Sequence, residues 1–304
     1  MASQTDGFDR ASSEHRSPLV RLPDATRVGG VRLQVSDLHR SLAYYRDVVG
    51  LRVVDTSPEV ATLGAPASDA ALVTLTAVSG TRPVPRRGRF GLFHFAILLP
   101  DRASLGRFVA HLASSGVPAG MSDHLVSEAI YLTDPDGLGI EVYADRPRST
   151  WRSMNGQLVM TTDPLAVDDL ASAGAGGTWD GAPAGTTMGH VHLHVGDLAQ
   201  AAAFYRDVVG FDVTVSNYPG ALFFAAGRYH HHLGTNTWAP GPAATIDQAR
   251  LLEWTLVVPS AAAARVIGER LLTAGHDAVA NGHDWTVADP WGTPLRIAAA
   301  TRLQ

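Results

Sequence analysis

His124, Tyr131 and Glu141 sit close together in the stretch HLVSEAIYLTDPDGLGIE. The stretch reads as a strand, SEAIYLTD, a tight turn at PDG, and a second strand, LGIEVYA. Strand side chains alternate faces with a period of two. Tyr131 and Glu141, ten residues apart on consecutive strands of a hairpin, can therefore point into one cavity. His124 stands at the mouth of the first strand. An imidazole, a phenol and a carboxylate together can ligate a metal and move protons. A structural core seldom needs all three.

Further histidines extend the set. His94 lies in FHFAILLP, and His190, His192 and His194 share one face of GHVHLHV. In YHHHLG, His230 and His232 fall on one face and His231 on the other. A lone histidine in an apolar strand is usually a satisfied core residue. His94 gains weight as a ligand because Glu141 follows in the same repeat unit. His192 is balanced between supporting a ligand and packing. His194 and His231 read as structural or surface residues, and Trp151 and Trp238 as core packing in preference to shaping the pocket.

Composition narrows the chemistry. The chain has 304 residues, 45% of them hydrophobic, and a net charge of −5. That length suggests one large or two medium domains. No broad basic face invites nucleic acid, and no apolar run is long enough for a membrane span. There is no cysteine and no lysine, which removes thiol nucleophiles, zinc–thiolate sites and Schiff-base catalysis. The first residues are polar and carry no signal-peptide core. A cytoplasmic protein is the expectation.

The elements that must position these residues come as an internal repeat. GGVRLQVSDLHRSLAYYRDVVGLRV from Gly29 matches GHVHLHVGDLAQAAAFYRDVVGFDV from Gly189. Each copy is a strand, a helix capped by Asp37 or Asp197, and a glycine stop at Gly50 or Gly210. A second pair of units, each with a strand, a proline stop and a helix, ends in hairpins bearing DPDG and DPWG. The chain thus reads as a disordered tail over 1–26, an N-terminal half over 27–145, a linker over 146–186 and a C-terminal half over 187–304. The linker's Gly/Ala-rich end reads as flexible. The fold class is α+β, with four modules of about 27–83, 89–145, 187–239 and 250–300.

His124, Ile130-Tyr131, the Asp134–Gly137 turn and Glu141 resemble, in order and spacing, the signature of extradiol ring-cleavage dioxygenases. FHFAILLP, YADRPRSTW, MTTDPL and YHHHLGTNTW carry the resemblance along the chain. The whole is similar to the vicinal oxygen chelate (glyoxalase/bleomycin resistance/extradiol dioxygenase) superfamily. Within it, the catechol 2,3-dioxygenase-like proteins of the CatE type are closest. The resemblance implies βαβββ modules that pair into two half-open mixed β-barrels, with a metal inside one.

Such a dioxygenase implies a facial triad of two histidines and a carboxylate with open positions, the pattern suited to non-haem Fe(II). Mn(II) is the other candidate. Modules one and two supply only His94 and Glu141. Modules three and four supply His190 and Glu253 beside Arg296. Modules two and three supply His94, Glu141 and His190. The usual extradiol pairing joins three with four, so two with three is a departure, and one with four would hold a decayed site. Glu253, an acid in a buried-looking strand, would then need a partner, and Arg296 is one candidate.

The resemblance implies an acid–base histidine on the YHHHLG strand, His232 by preference or His230. It also places Tyr131 and His124 beside the substrate. The implied reaction is cleavage of a catechol-type aromatic diol with O2 to a 2-hydroxymuconic semialdehyde-type product. Two rivals share the scaffold: a glyoxalase-like isomerase with four protein ligands, and a non-catalytic small-molecule binding or resistance protein. A homodimer is an expectation from exposed sheet edges.

Overall fold

The computed structural model describes residues 21–68, 70–85, 88–239 and 241–300. The first module runs through β1 (Arg27–Val35), α1 (Leu38–Asp47), β2 (Arg52–Thr56), β3 (Val60–Gly64) and β4 (Ala71–Ala77). The second holds β5 (Gly91–Leu98), α2 (Arg102–Ser115), β6 (Gly120–Asp123), β7 (Ser127–Thr133) and β8 (Gly139–Asp145). A bridging stretch carries the short hairpin β9 (Ser153–Met154) and β10 (Gln157–Leu158), then α3 (Val167–Ala173). The third module has β11 (Thr187–His194), α4 (Leu198–Ala201) continued by a π-wound stretch Ala202–Val209, β12 (Asp212–Val215), β13 (Ala221–Ala225) and β14 (Leu233–Asn236). The fourth has β15 (Arg250–Val258), α5 (Ala261–Thr273), β16 (Val279–Asn281), β17 (Asp284–Ala288) and β18 (Pro294–Ala299).

The helices begin where short polar side chains can satisfy orphan N–H groups. Asp37, Asp101 and Asp197 each accept from the backbone N–H three residues on, at 3.0, 2.7 and 2.7 Å. The helix that Asp197 opens, α4 with its π-wound continuation, stops at Gly210, whose φ of 104° is a left-handed conformation that glycine adopts without strain.

Two eight-stranded sheets result. One has the order β16-β17-β18-β15-β1-β4-β3-β2, the other β12-β13-β14-β11-β5-β8-β7-β6. Module two therefore joins module three through the antiparallel pair β5–β11, and module one joins module four through β1–β15. This is the pairing that the ligand inventory required. Alternate residues of the central strands, among them Val31, Leu33, Phe95, Ile97, Val191, Leu193, Trp254 and Leu256, belong to one buried apolar cluster. The intervening residues face the concave side of each curled sheet, where His94, Glu141 and His190 are found.

Three expectations are corrected. Residues 1–20 lie outside the described residues, but 21–26 of the expected tail are packed: Leu22 is buried and donates its N–H to Gly210 O at 2.8 Å. The expected flexible linker is folded. Gly174 serves close approach: a Cβ on it would lie 2.4 Å from Arg107 N, and across the same contact a Cβ on Gly106 of α2 would lie 2.2 Å from Leu170 O. Composition alone does not separate a glycine that loosens a chain from one that lets two helices touch. Finally, Arg296 does not pair with Glu253. Its Nε donates to Asp284 at 3.0 Å, and half-buried Glu253 stands opposite Arg32 in the register.

Candidate metal centre

The register explains why three ligands from two modules meet. Across the sheet, His190 is opposite Ala96, Ala96 is beside Glu141, and Glu141 is opposite Tyr131. His192 and His94 face each other one step along. Ala96, fully buried, stands between the strands of His190 and Glu141. Its single methyl leaves the space above it to the longer side chains on either side.

His94 Nε2 lies 3.0 Å and His190 Nε2 lies 3.2 Å from the same carboxylate oxygen, Oε2 of Glu141. The three ligand atoms fall within 4.8 Å of one another, and all three residues are buried. His94 Nε2 makes no hydrogen bond despite its short distance to the carboxylate, and His190 Nδ1 is also unpartnered. Unsatisfied buried polar atoms are costly. A divalent cation at the meeting point would satisfy the imidazole nitrogen and the carboxylate together, so the donor set fits a metal.

The charge states agree with that fit. Burial pushes the His94 and His190 imidazoles below their ordinary range, against the pull of Glu141. Both are therefore neutral at neutral pH, the form that ligates. Burial alone would raise the Glu141 carboxyl, but the neighbouring His190 and His94 outweigh it and hold it well below the usual carboxylate range.

The triad opens onto a cavity of about 270 Å³. Tyr131 and His124 line it. His124 Nδ1–H donates to Thr161 O at 2.6 Å, which leaves its Nε2 as the acceptor for the Tyr131 hydroxyl, also at 2.6 Å. Burial first, then Glu141, raises the Tyr131 hydroxyl well above its ordinary value, so it stays protonated. His192 also lines the cavity, but the Asn236 amide donates to its Nε2 at 3.0 Å. It supports the wall and has no free lone pair there for an ion.

The YHHHLG histidines alternate as expected, but with the opposite face inward. His231 lines the cavity, whereas His230 and His232 turn away from it. His231, read from sequence as structural or surface, has its ring centroid 4.1 Å from that of His190, tilted by 47°. His232 Nδ1 accepts from Ala226 N at 3.2 Å on the far side. A period of two fixes which residues share a face and leaves open which face is inside; the β11–β14 register, with Val191 beside Leu233, decides it.

His230 connects His231 to a carboxylate. Asp145 Oδ1 accepts from His230 Nε2 at 2.9 Å, and His230 Nδ1 lies 2.7 Å from His231 Nδ1. A neutral His230 that donates through Nε2 must accept at Nδ1. His231 then carries its proton on Nδ1, and its Nε2 is the free lone pair. Burial, with His190 and His230 adding to it, holds the His231 imidazole well below its ordinary range.

The bridging stretch roofs the cavity through Met160, Thr161 and Thr162, and Trp238, nearly half exposed, stands at its mouth. Sequence reading quoted MTTDPL only for its resemblance and gave it no part in the site. It preferred core packing for Trp238 to a place at the pocket, and the structure puts it at the pocket.

The sequence pattern of the Glyoxalase/Bleomycin resistance protein/Dioxygenase superfamily matches residues 27–142 and 187–293. The chain belongs to this superfamily. It is 41% identical over 277 residues, 90% of its length and 96% of the relative's, to the Bacillus subtilis protein named catechol-2,3-dioxygenase. A solved Bacillus subtilis structure, provisionally assigned as a dioxygenase, shares the superfamily fold at a TM-score of 0.64 and 14% identity. It covers 92% of this chain and 86% of that one. A glyoxalase I mutant from Zea mays matches at 0.54 and 17%, over 90% of this chain and 92% of that one.

Proposed function

We propose that the protein is an extradiol dioxygenase that opens a catechol-type ring beside the diol with O2. The observation that carries this reading is the buried His94–Glu141–His190 set, open on one side to a cavity that also presents Tyr131, His124 and His231. The 41% identity to a named catechol-2,3-dioxygenase supports it. Among the described residues this three-member group is the one cluster placed to hold a metal. Three protein ligands leave positions for two small reactants, whereas a four-ligand isomerase site leaves fewer.

His94, Glu141 and His190 would hold a non-haem Fe(II), with Mn(II) meeting the same ligand preferences. When bound, that ion supplies the redox centre at which a diol and O2 are brought together. The protein's own groups do the rest. His231 Nε2, kept as a lone pair by His230 and Asp145, accepts a proton from a diol hydroxyl and can return it later. The Tyr131 hydroxyl, held by His124, sits beside the same oxygens as a hydrogen-bond partner. Met160, Thr161 and Thr162 close the space over the reactants and exclude water.

The test is oxygen uptake by protein loaded anaerobically with Fe(II), with catechol as substrate. One O2 consumed per catechol, with a yellow ring-opened product, is expected. An iron-loaded protein that consumes no O2 with any catechol rules the reading out.

A further inference from the structure

The cavity changes character along its length. Its inner end carries the polar groups described above. Its outer end is apolar, and its polar atoms are already committed. The Tyr218 hydroxyl bonds Thr162 Oγ1 at 2.6 Å, and Thr161 Oγ1 donates to Asp163 at 2.7 Å. The Trp238 indole N–H donates to Pro219 O at 3.2 Å, and its backbone N–H to Asn236 Oδ1 at 3.1 Å. What these residues offer a ligand is ring surface.

The rings form one connected wall. Phe93 meets Trp238 nearly edge-on at 5.6 Å, and Tyr218 meets Phe223 in the same manner at 5.6 Å. Trp238 is 47% exposed although its indole N–H and its backbone N–H are both bonded. A large apolar side chain held rigid at a cavity mouth, with half of its surface in water, gains most when a ligand covers it.

Charge is absent from the same wall. No arginine among the described residues lines the cavity, and the chain has no lysine. The nearby arginines are used elsewhere: Arg146 bonds Asp123 at 2.5 Å, and Arg148 lies over the rings of Trp151 and Tyr229. A carboxylate on the ring substituent would be desolvated among these rings with no arginine or lysine to pair it, which is costly.

We propose that this outer end seats an apolar, uncharged ring substituent of the catechol, with Trp238 as the specificity-determining side chain. The inference rests on the dioxygenase reading above and names its substrate class: alkyl- or aryl-catechols rather than catechol carboxylates.

The experiment compares unsubstituted catechol, 3-phenylcatechol and 3,4-dihydroxyphenylacetate in two ways. One is kcat/KM of the Fe(II)-loaded protein; the other is equilibrium binding under nitrogen, followed by tryptophan fluorescence and calorimetry. The phenyl compound is expected to exceed the carboxylate by about 100-fold in both. Trp238→Ala should lower the ratio of phenylcatechol to catechol by roughly tenfold, and Trp238→Phe should restore most of it. Equal use of the carboxylate, or an unchanged ratio in Trp238→Ala, overturns the inference while leaving ring cleavage standing. If no diol is cleaved, the dioxygenase reading fails. The binding arm then decides the seat: preference for the phenyl compound, lost in Trp238→Ala, upholds it, and equal binding of phenyl and carboxylate compounds overturns it.

Discussion

The two sheets have the same strand order and opposite chemistry. Where the β5–β11 sheet places His94, Glu141, His190 and His192, the β1–β15 sheet places Glu253, Arg296, Gly30 and Arg32 at the matching register positions. In place of the His231 imidazole it has Ala71. One concave face is roofed and lined with neutral imidazoles around an ionised carboxylate. The other carries arginines, one committed to Asp284. The convex faces, by contrast, are built alike, with branched and aromatic residues in the shared core. The lesson is that packing on one side of a strand and chemistry on the other vary independently, because a period of two separates them.

The largest effect that can break this contrast is on metal retention. Glu141→Ala should lower metal affinity by on the order of 100-fold or more, read as metal content after dialysis, and turnover should vanish with it. Arg296→Ala, at the matching position of the other sheet, should leave metal content unchanged. Loss of metal from the Arg296 variant would mean that the ion sits in the wrong sheet in this account.

The next effect separates the two faces of one strand. His231→Ala should keep the metal and lower kcat by about 10²- to 10⁴-fold, the range for a lost general base. His232→Ala should keep both metal and turnover, because its ring faces away from the cavity. A reversed pattern would restore the order expected from sequence and refute the inward placement of His231.

Much of this was legible in the sequence. The repeat, the capping aspartates and the hairpin that brings Tyr131 to Glu141 follow from spacing and residue type, and the pairing of modules two and three followed from the triad that the resemblance implies. The inward face of YHHHLG was not legible, because alternation has no sign until a neighbouring strand supplies the register. Nor were the roles of Met160–Thr162 as roof and Trp238 as mouth, although both lie in stretches that carry the resemblance, since a local pattern does not say what it closes over. The glycines of the bridging stretch misled, because close packing and flexibility call for the same residue.

A third variant asks whether the second sheet could regain the site. Glu253→His and Arg296→Glu restore two ligands, but the third position is closed. A Cβ on Gly30 would lie 2.5 Å from the backbone oxygen of Ala71. Gly30→His should therefore destabilise the fold by roughly 1–3 kcal/mol, read as a fall in Tm. The double variant without it should bind metal weakly at most. Tight binding by the double variant would show that two ligands suffice and would weaken the argument from the triad.

The smallest effect tests what the sheets share. Tyr45 donates to Asp134 at 3.1 Å, and Tyr205 donates to Asp289 at 2.9 Å. Each bond ties a helix of one sheet to the DPxG turn of the other. Burial raises Asp134 to about 6 and raises Asp289 as well. A carboxyl raised above its ordinary 3.8 stabilises the fold when protonated, and that contribution is lost as pH climbs from about 4 through about 6. The tyrosine hydroxyl opposes the loss by bonding the ionised form. Tyr45→Phe and Tyr205→Phe should each cost about 1 kcal/mol, more at pH 8 than at pH 5, where Asp134 is mostly protonated. Thermal unfolding at the two pH values reads both. Matched losses would show that the two turns are equivalent parts of the architecture. A loss confined to Tyr45→Phe would tie its turn, which leads into the Glu141 strand, to the metal centre and end the symmetry between the sheets.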